Sequence, residues 1–251
     1  MKYTVESDIG LRRLVNEDRA AFYERPDNYK LALIADGMGG HNAGDVASEM
    51  AAKEMGQLFL QEDSLHFTSP QAKRLWLRQA VEKLNEKIYE YSLSHEDCKG
   101  MGTTFIGVLV DSYSCDCLIV HVGDSRVYHF FEDGVEQITR DHSYVNVLVD
   151  NGEISEEEAL NHPRKNFILK SLGTEATIEP DFFEVQLAPH SYLLVCSDGL
   201  SNKLTANEMA SVLTLKQSLK EKGQKLVQLA NDSGGEDNIS LVLLSTHEEE
   251  V

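Results

Sequence analysis

Apolar runs of strand length recur along this chain, and their order limits the folds that it can adopt. Five such runs occupy residues 31–35, 105–110, 118–122, 192–196 and 239–244. Runs of this length bounded by turn residues are typical of buried β-strands. The runs and the helical patterns come in groups, without strict strand–helix alternation. We therefore predict an α+β fold in which helices pack on antiparallel sheets, with residues 105–110 and 118–122 forming a hairpin.

Helix start signals mark several segments between these runs. A serine followed by proline, at Ser69-Pro70, is typical of an N-cap and a first helical residue. The apolar residues after it recur at helical spacing, and two capping boxes predict further helices. A fourth helix is expected over residues 44–60. The stripe consists of Leu77, Val81, Leu84, Ile88 and Tyr91, and the capping boxes are Ser155 with Glu158 and Thr205 with Glu208.

Composition limits the partners and the compartment that we expect. The chain has 42 acidic and 23 basic residues, a net charge of −19, which would repel nucleic acids. The N-terminus lacks the apolar segment of a signal peptide, and no apolar run approaches the ~20 residues of a membrane span. The cysteines at 98, 115, 117 and 196 form no C-x-x-C pair. We predict one domain over residues 1–251, free thiols, a cytoplasmic location and no membrane insertion.

Four aspartates lie next to the predicted strands. Asp36, Asp124 and Asp198 follow strands, and Asp237 stands just before one. Loops at strand ends often carry catalytic groups, but Asp-Gly is also a hairpin signal, and Asp133-Gly134 fits that simpler interpretation. Asp36 and Asp198 also precede glycine, yet a helix rather than a strand is predicted after each, which favours a functional role. For Asp124 the pattern leaves both interpretations open.

Clustered carboxylates without paired histidine or cysteine suit Mg²⁺ or Mn²⁺ better than Zn²⁺. Cations would also offset the mutual repulsion of the carboxylates, and two ions ~3.5–4 Å apart can assist a displacement at phosphorus. Gly37 would let its carbonyl approach an ion closely. Arginine is suited to binding phosphate, and Arg13 lies in the N-terminal segment 10–18. That segment alone leaves an ordinary surface cation as the alternative.

Seven short blocks carry a resemblance to a known family. They are GLRRLVNED at 10–18, ADGMGGHNAG at 35–44, GMGTT at 100–104, VGDSR at 122–126, DHS at 141–143, CSDGL at 196–200 and GGEDNIS at 234–240. In this order the chain resembles the metal-dependent type 2C protein phosphatases, the PPM family, and especially the short bacterial members that oppose bacterial Ser/Thr kinases.

The resemblance implies a four-layer αββα sandwich of two antiparallel β-sheets flanked by helices, with a flap at residues 143 to about 174 beside the metal site. It also implies two core Mn²⁺ or Mg²⁺ ions bridged by one aspartate, a weaker third ion, and an arginine that binds the substrate phosphate. The residues matched to these roles are Asp36 as the bridge, Asp198, Asp237 and Gly37 for the core ions, Asp18 or Glu17 for one of them, Asp124 for the third ion and Arg13 for the phosphate.

The implied mechanism is in-line attack on phosphorus by a metal-activated water, without a phosphoenzyme. Consistent with this, Cys196 is followed six positions later by Asn202 rather than arginine, and no P-loop motif is present. The general acid is left open, because Met38 stands where eukaryotic relatives commonly carry histidine. Water at the metal site is the first candidate, and His142 and His41 are weaker ones.

The expected partners are phosphorylated proteins, including a Ser/Thr kinase and its substrates. A rival within the same chemistry is a phosphatase dedicated to one partner, such as an anti-sigma antagonist. A rival of a different class is a catalytically silent pseudophosphatase that binds phosphoproteins. Loss of metal-binding aspartates would favour that rival, whereas Asp36, Asp198 and Asp237 are all present.

Overall fold

The computed structural model describes residues 1–39 and 43–247. Within these residues the chain forms eleven strands and seven α-helices. The strands are β1 (Lys2–Asp8), β2 (Asp18–Glu24), β3 (Tyr29–Met38), β4 (Gly102–Thr103), β5 (Phe105–Asp111), β6 (Asp116–Val122), β7 (Arg126–Phe131), β8 (Gly134–Gln137), β9 (Asp181–Gln186), β10 (Tyr192–Cys196) and β11 (Ile239–Ser245). The helices are α1 (Gly44–Gln61), α2 (Pro70–Ser94), α3 (Tyr144–Asp150), α4 (Glu156–Leu160), α5 (Asp198–Ser201), α6 (Ala206–Leu213) and α7 (Leu219–Asp232).

The strands form two sheets in which every described pairing is antiparallel. One sheet has the order β1-β11-β10-β7-β8, and the other has the order β2-β3-β5-β6-β9, with β4 paired to the end of β3. The predicted hairpin is confirmed, because β5 pairs with β6 from Phe105 opposite Val122 to Val110 opposite Cys117. The Asp133-Gly134 turn is also confirmed, since it joins β7 to β8.

Three apolar cores separate four layers, which confirms the predicted sandwich. Along β3, Leu31, Leu33 and Ala35 pack in the core shared with α1 and α2, whereas Ala32 and Ile34 pack in the core between the sheets. A third core lies between the first sheet and the helices α6 and α7. Because successive side chains of a strand point to opposite faces, a strand covered on both faces reads as a continuous apolar run.

The predicted helix starts are also confirmed. The Ser69 side chain accepts a hydrogen bond from the Ala72 N–H at the start of α2, and both capping boxes are formed. A further capping box, Ser218 with Glu221, opens α7 and was not predicted. No helix in the described part of the chain is long and apolar enough to cross a bilayer.

One strand boundary was predicted wrongly. We expected Asp36 to close a strand ending at residue 35, but β3 continues to Met38 and contains Asp36. The extension exists because Gly37 pairs with Thr103 and Met38 pairs with Gly102 in the short strand β4. Asp36 is therefore held by sheet hydrogen bonding on both sides rather than by a loop.

Candidate active site

The predicted aspartates meet at one end of the sandwich, where both sheets contribute. Asp18 and Asp36 lie directly opposite each other in the β2–β3 pairing. Asp198 begins α5 just after β10, and Asp237 stands just before β11, the neighbour of β10. Asp124 follows β6 and bears electrostatically on Asp36 and Asp198. Side chains from distant parts of the sequence are thus brought into one acidic cluster.

Hydrogen bonds from neighbouring threonines fix the backbone of Asp36. The Asp36 N–H donates to Thr104 Oγ1 at 3.0 Å, and Thr103 Oγ1 donates to the Asp36 carbonyl oxygen at 2.9 Å. Gly37 allows close approach of two other segments, because a Cβ there would collide with the Gly44 carbonyl oxygen. The Gly37 N–H also donates to the Glu17 carbonyl oxygen at 3.1 Å, which joins the N-terminal segment to β3.

Burial and mutual repulsion make these carboxyls hard to ionise. Desolvation is the main cause of the raised pKa of Asp18, Asp36, Asp124 and Asp198, and neighbouring aspartates raise these four values further. The pKa rises to about 7 for Asp18, to about 8 for Asp124 and to about 6 for Asp198. The pKa of Asp36 is raised well above its usual range, since Asp18, Asp198, Asp124 and Asp237 all act on it.

Local partners satisfy some of the carboxyl oxygens in this arrangement. Ser197 Oγ donates to Asp18 Oδ2 at 2.7 Å, and Asn202 Nδ2 donates to Asp198 Oδ2 at 3.0 Å. Contact with the Asp36 side chain partly offsets the rise in the pKa of Asp198 that burial and Asp237 cause. Among the residues that the structure describes, no three His, Cys, Asp or Glu side chains form a ready set of metal ligands.

The donor set nevertheless fits divalent metal ions. The buried Asp124 Oδ1 has no hydrogen-bond partner among the residues that the structure describes, which leaves a carboxyl oxygen for a further ligand to satisfy. Oxygen ligands from several carboxyls suit Mg²⁺ or Mn²⁺, and ions would offset the repulsion that raises the carboxyl pKa values. The residues that fit this role are Asp18, Asp36, Asp124, Asp198 and Asp237, with the Gly37 carbonyl beside Asp36.

Arg13 faces the acidic cluster, whereas its neighbour Arg12 does not. Arg13 Nη2 donates to Asp237 Oδ2 at 2.8 Å, and its guanidinium bears electrostatically on Glu17 and Asp36 as well. The electrostatic influence of Arg12 falls instead on Glu236. The Arg13 side chain is 46% exposed, so its guanidinium is accessible at the edge of the cluster.

A cleft of about 560 Å³ opens beside the cluster, between Asp124 and Asp198 on one side and part of the 143–174 segment on the other. Val145, Val149 and Lys165 belong to its lining on the segment side. A bridge from Thr103 to Leu172 attaches the segment to the sandwich, and a second bridge, from Ser143 to Ile168, joins two parts of the segment itself. This position agrees with the predicted flap, whose role remains a prediction.

Of the two histidines considered as the general acid, the structure describes only His142. His142 Nδ1 accepts a hydrogen bond from the Gly123 N–H at 3.1 Å, and its Nε2 lies 3.2 Å from Asp181 Oδ2. Both ring nitrogens therefore face protein groups rather than the cleft, which favours a structural role for His142. His41 lies outside the described residues.

Several residues of the site were not predicted as functional. Thr103, Thr104, Ser197, Asn202 and Asn238 hold the aspartates or the segment that carries Arg13. All but Asn202 fall within the blocks GMGTT, CSDGL and GGEDNIS. Membership in these blocks was therefore the available signal, although the block alone does not say which partner each side chain holds.

The fold and this site define a class of protein, and comparison with known proteins agrees. Residues 12–242 match the family described as Protein phosphatase 2C, and the chain belongs to that family. It is 41% identical over 238 residues to the serine/threonine phosphatase stp of Listeria welshimeri, which covers 95% of this chain and 93% of that protein.

Solved structures give the same result. The serine/threonine phosphatase of S. agalactiae has a TM-score of 0.91 at 40% identity, covering 96% of this chain and 98% of that one. The catalytic domain of the phosphatase PstP in complex with two manganese ions has a TM-score of 0.81 at 33% identity, covering 96% of each chain. The chain is accordingly a protein-serine/threonine phosphatase of a metal-dependent family, which confirms the predicted family, fold and enzyme class.

Proposed function

We propose that this chain removes phosphate from phosphoserine and phosphothreonine of bacterial proteins, and that it reverses the action of a Ser/Thr kinase in the cytoplasm. Residues 1–251 would act as one catalytic domain. The observation that carries the proposal is the cluster of carboxyls from both sheets with an accessible arginine at its edge. Carboxyls that can hold cations and a planar hydrogen-bond donor together suit the binding and hydrolysis of a phosphate ester.

We assign the core ions, Mn²⁺ or Mg²⁺, to Asp36 as the bridging ligand, with Asp198, Asp237, the Gly37 carbonyl and Asp18. The relative whose structure contains two manganese ions supports two core ions. Asp124, with its unpartnered buried Oδ1, is the proposed ligand of a weaker third ion. When bound, the ions would activate a water for attack on phosphorus and neutralise charge on the phosphoryl oxygens.

The chain itself supplies orientation and charge. The planar donor group of Arg13 binds the outer oxygens of the phosphoryl group, and this requires it to exchange its contact with Asp237 for one with substrate. The cleft beside Asp124 and Asp198 receives the polypeptide around the phosphorylated residue. Direct attack by water fits the absence of an activated thiol at the site, since burial raises the pKa of Cys196 to about 12.

The decisive test is turnover of para-nitrophenyl phosphate and of a phosphothreonine peptide in Mn²⁺, with and without a chelator. We expect Asp36→Asn to lose activity about 100-fold or more while keeping the fold, because one bridging charge is removed. Asp133→Asn is the matched control, since Asp133 is exposed in the β7–β8 turn and asparagine is equally suited to that turn.

Unchanged turnover in Asp36→Asn would contradict the two-ion assignment. Chelator-sensitive turnover by the wild type excludes the pseudophosphatase alternative. Binding of the phosphopeptide without any turnover in saturating Mn²⁺ would favour it.

A further inference from the structure

The segment that carries Arg13 has no regular secondary structure of its own. Residues 9–17, here named the Arg13 loop, lie between β1 and β2 and form neither helix nor strand. A loop of this kind holds a side chain less precisely than a helix or strand does, unless contacts from the rest of the fold support it. The contacts that bind its two ends therefore decide where the guanidinium of Arg13 is presented.

One buried side chain, Asn238, contacts both ends of the Arg13 loop. Its Nδ2 donates to the Ile9 carbonyl oxygen at 2.9 Å and to the Val15 carbonyl oxygen at 3.0 Å. Its Oδ1 accepts a hydrogen bond from the Glu17 N–H at 2.8 Å. The three contacts lie on both sides of Arg13, and Asn238 is only 3% exposed.

The other contacts of the Arg13 loop do not duplicate this arrangement. The Leu11 N–H donates to the Gly235 carbonyl oxygen at 2.7 Å, and the Gly10 N–H donates to Asp8 Oδ1 at 2.8 Å. Both hold the first part of the loop. The last part is held by Asn16 Nδ2, which donates to Ser7 Oγ at 2.9 Å, and by the Glu17 carbonyl oxygen, which accepts from the Gly37 N–H at 3.1 Å. None of these contacts joins the two ends of the loop. Gly10 has a φ of +79°, and a Cβ there would collide with the Asp237 carbonyl oxygen, so the first part of the loop already lies against the β11 side of the site.

Asn238 also connects the loop to the acidic cluster. Its N–H donates to Asp237 Oδ1 at 2.8 Å, while the other carboxyl oxygen of Asp237 accepts from Arg13 Nη2 at 2.8 Å. The side chain of Asn238 thus sets the loop, and its backbone sets the carboxyl that Arg13 meets. Both partners of the Arg13–Asp237 pair are positioned by one residue.

The chemistry of the contacts requires an amide at this position. Two donors face two carbonyl oxygens, and one acceptor faces an N–H group. Aspartate has nearly the same shape, but its carboxylate has no donor to offer. It would place an oxygen against the carbonyls of Ile9 and Val15 and keep only the contact with Glu17.

We propose that Asn238 is a positioning residue for phosphate recognition, which holds the Arg13 loop so that the guanidinium reaches the phosphoryl oxygens. This inference rests on the proposed phosphate-binding role of Arg13. Asn238 itself does not touch substrate. Its effect on catalysis passes through Arg13, and that makes the inference separable from a general contribution to stability.

The test compares Asn238→Asp with wild type at saturating Mn²⁺, using para-nitrophenyl phosphate as substrate and inorganic phosphate as inhibitor. We expect KM and the inhibition constant of phosphate both to rise about 10-fold, because a charged hydrogen bond to phosphate is weakened. We expect kcat to fall less than about 3-fold if the contact is made equally in the ground state and transition state. Asn207→Asp, which adds the same charge at an exposed position on α6, is the control and should change neither constant.

A double-mutant cycle with Arg13→Ala separates positioning from stability. If Asn238 acts through Arg13, then Asn238→Asp added to Arg13→Ala should raise KM by less than about 2-fold. An equal cost in both backgrounds would overturn the positioning role while leaving Arg13 in place. Unchanged phosphate inhibition in Arg13→Ala alone would overturn the Arg13 assignment and this inference with it. If Asn238→Asp fails to fold, the same cycle with Asn238→Ala, verified by circular dichroism, gives the decision.

Discussion

Arg13 and Arg12 are adjacent in sequence but face different charges, and this leads to a prediction at the scale of single residues. Only Arg13 pairs with an aspartate of the cluster. Charged hydrogen bonds contribute ~1.5–3 kcal/mol each, so Arg13→Ala should lower kcat/KM by roughly 10- to 1,000-fold. Arg12→Ala should be nearly neutral. Arg13→Lys should restore only part of the activity, since an ammonium keeps the charge but loses the planar pair of donors.

The measurement is a side-by-side assay of the three variants on para-nitrophenyl phosphate with saturating Mn²⁺. If ground-state binding dominates, KM carries the loss, and if the contact tightens in the transition state, kcat carries it. A larger defect at Arg12 than at Arg13 would contradict the assignment of the phosphate-binding arginine.

At the scale of elements, the 143–174 segment presents two neighbouring cations in different surroundings. The Arg164 guanidinium lies 5.7 Å from the centre of the Tyr144 ring, within the segment itself. Lys165 lines the cleft beside Asp124 and Asp198. The two residues were predicted together as contacts for phosphoprotein substrates, and the geometry favours Lys165 for direct contact and Arg164 for packing of the segment.

We predict that replacing both Arg164 and Lys165 with alanine lowers kcat/KM on a phosphoprotein by about 2- to 5-fold, the range expected for one exposed ion pair, with Lys165 responsible for the loss. Turnover of para-nitrophenyl phosphate should be unchanged, because that substrate does not extend along the cleft. Lys220→Ala, an exposed position on α7, is the control. An equal loss on both substrates would indicate that these residues act in the catalytic centre or stabilise the fold.

The elements differ in how far their sequences predict them. The strands β5, β6, β10 and β11 could be predicted because burial on both faces requires a continuous apolar run. The helix α6 could be predicted because its capping box is a local sequence pattern. The edge strands β1 and β2 have alternating or half-exposed patterns and no apolar run, so they were missed. Their place depends on pairing with β11 and β3, which lie far away in the sequence.

The site shows the same division. Asp36, Asp198 and Asp237 were singled out because apolar runs beside an aspartate and Asp-Gly pairs are local signals, and their role in metal binding remains a prediction. The contact from Ser197 to Asp18 joins residues 179 positions apart, and no local pattern predicts it. Likewise, pairing with the short strand β4 extends β3 beyond Asp36 to Met38. A strand of two residues is too short to be predicted from its own sequence.

At the scale of the whole molecule, the raised carboxyl pKa values predict how stability depends on pH. Asp18, Asp124 and Asp198 have folded-state pKa values of about 7, 8 and 6, above the unfolded value of 3.8. These three carboxyls therefore bind more protons in the folded metal-free protein than in the unfolded chain between about pH 4 and 8. Linkage requires that their contribution to stability is present at low pH and is lost as pH rises through this window.

Metal ions should reverse this trend, because a bound cation favours the ionised carboxyls. We expect the rise in melting temperature on adding Mn²⁺ or Mg²⁺ to be larger at pH 8 than at pH 5.5. The apparent affinity for the ion should fall about tenfold for each unit by which the pH is lowered, for each proton that the ion displaces. Thermal unfolding of the chelator-treated protein at both pH values, with and without added ion, measures this. Equal shifts at the two pH values would contradict proton displacement by the metal.

The division of the site between two sheets gives the apolar interior a role beyond stability. Asp36 belongs to one sheet and Asp198 follows a strand of the other, so the distance between them depends on how far apart the sheets lie at that end. That spacing is set by side chains packed between the sheets, among them Ile34, Val195 and Val242. Under the proposed metal assignment, these residues set the width of the gap that would hold the ions. Removing one methyl group from this interior would therefore change the distance between the proposed metal ligands, although the altered residue does not contact them.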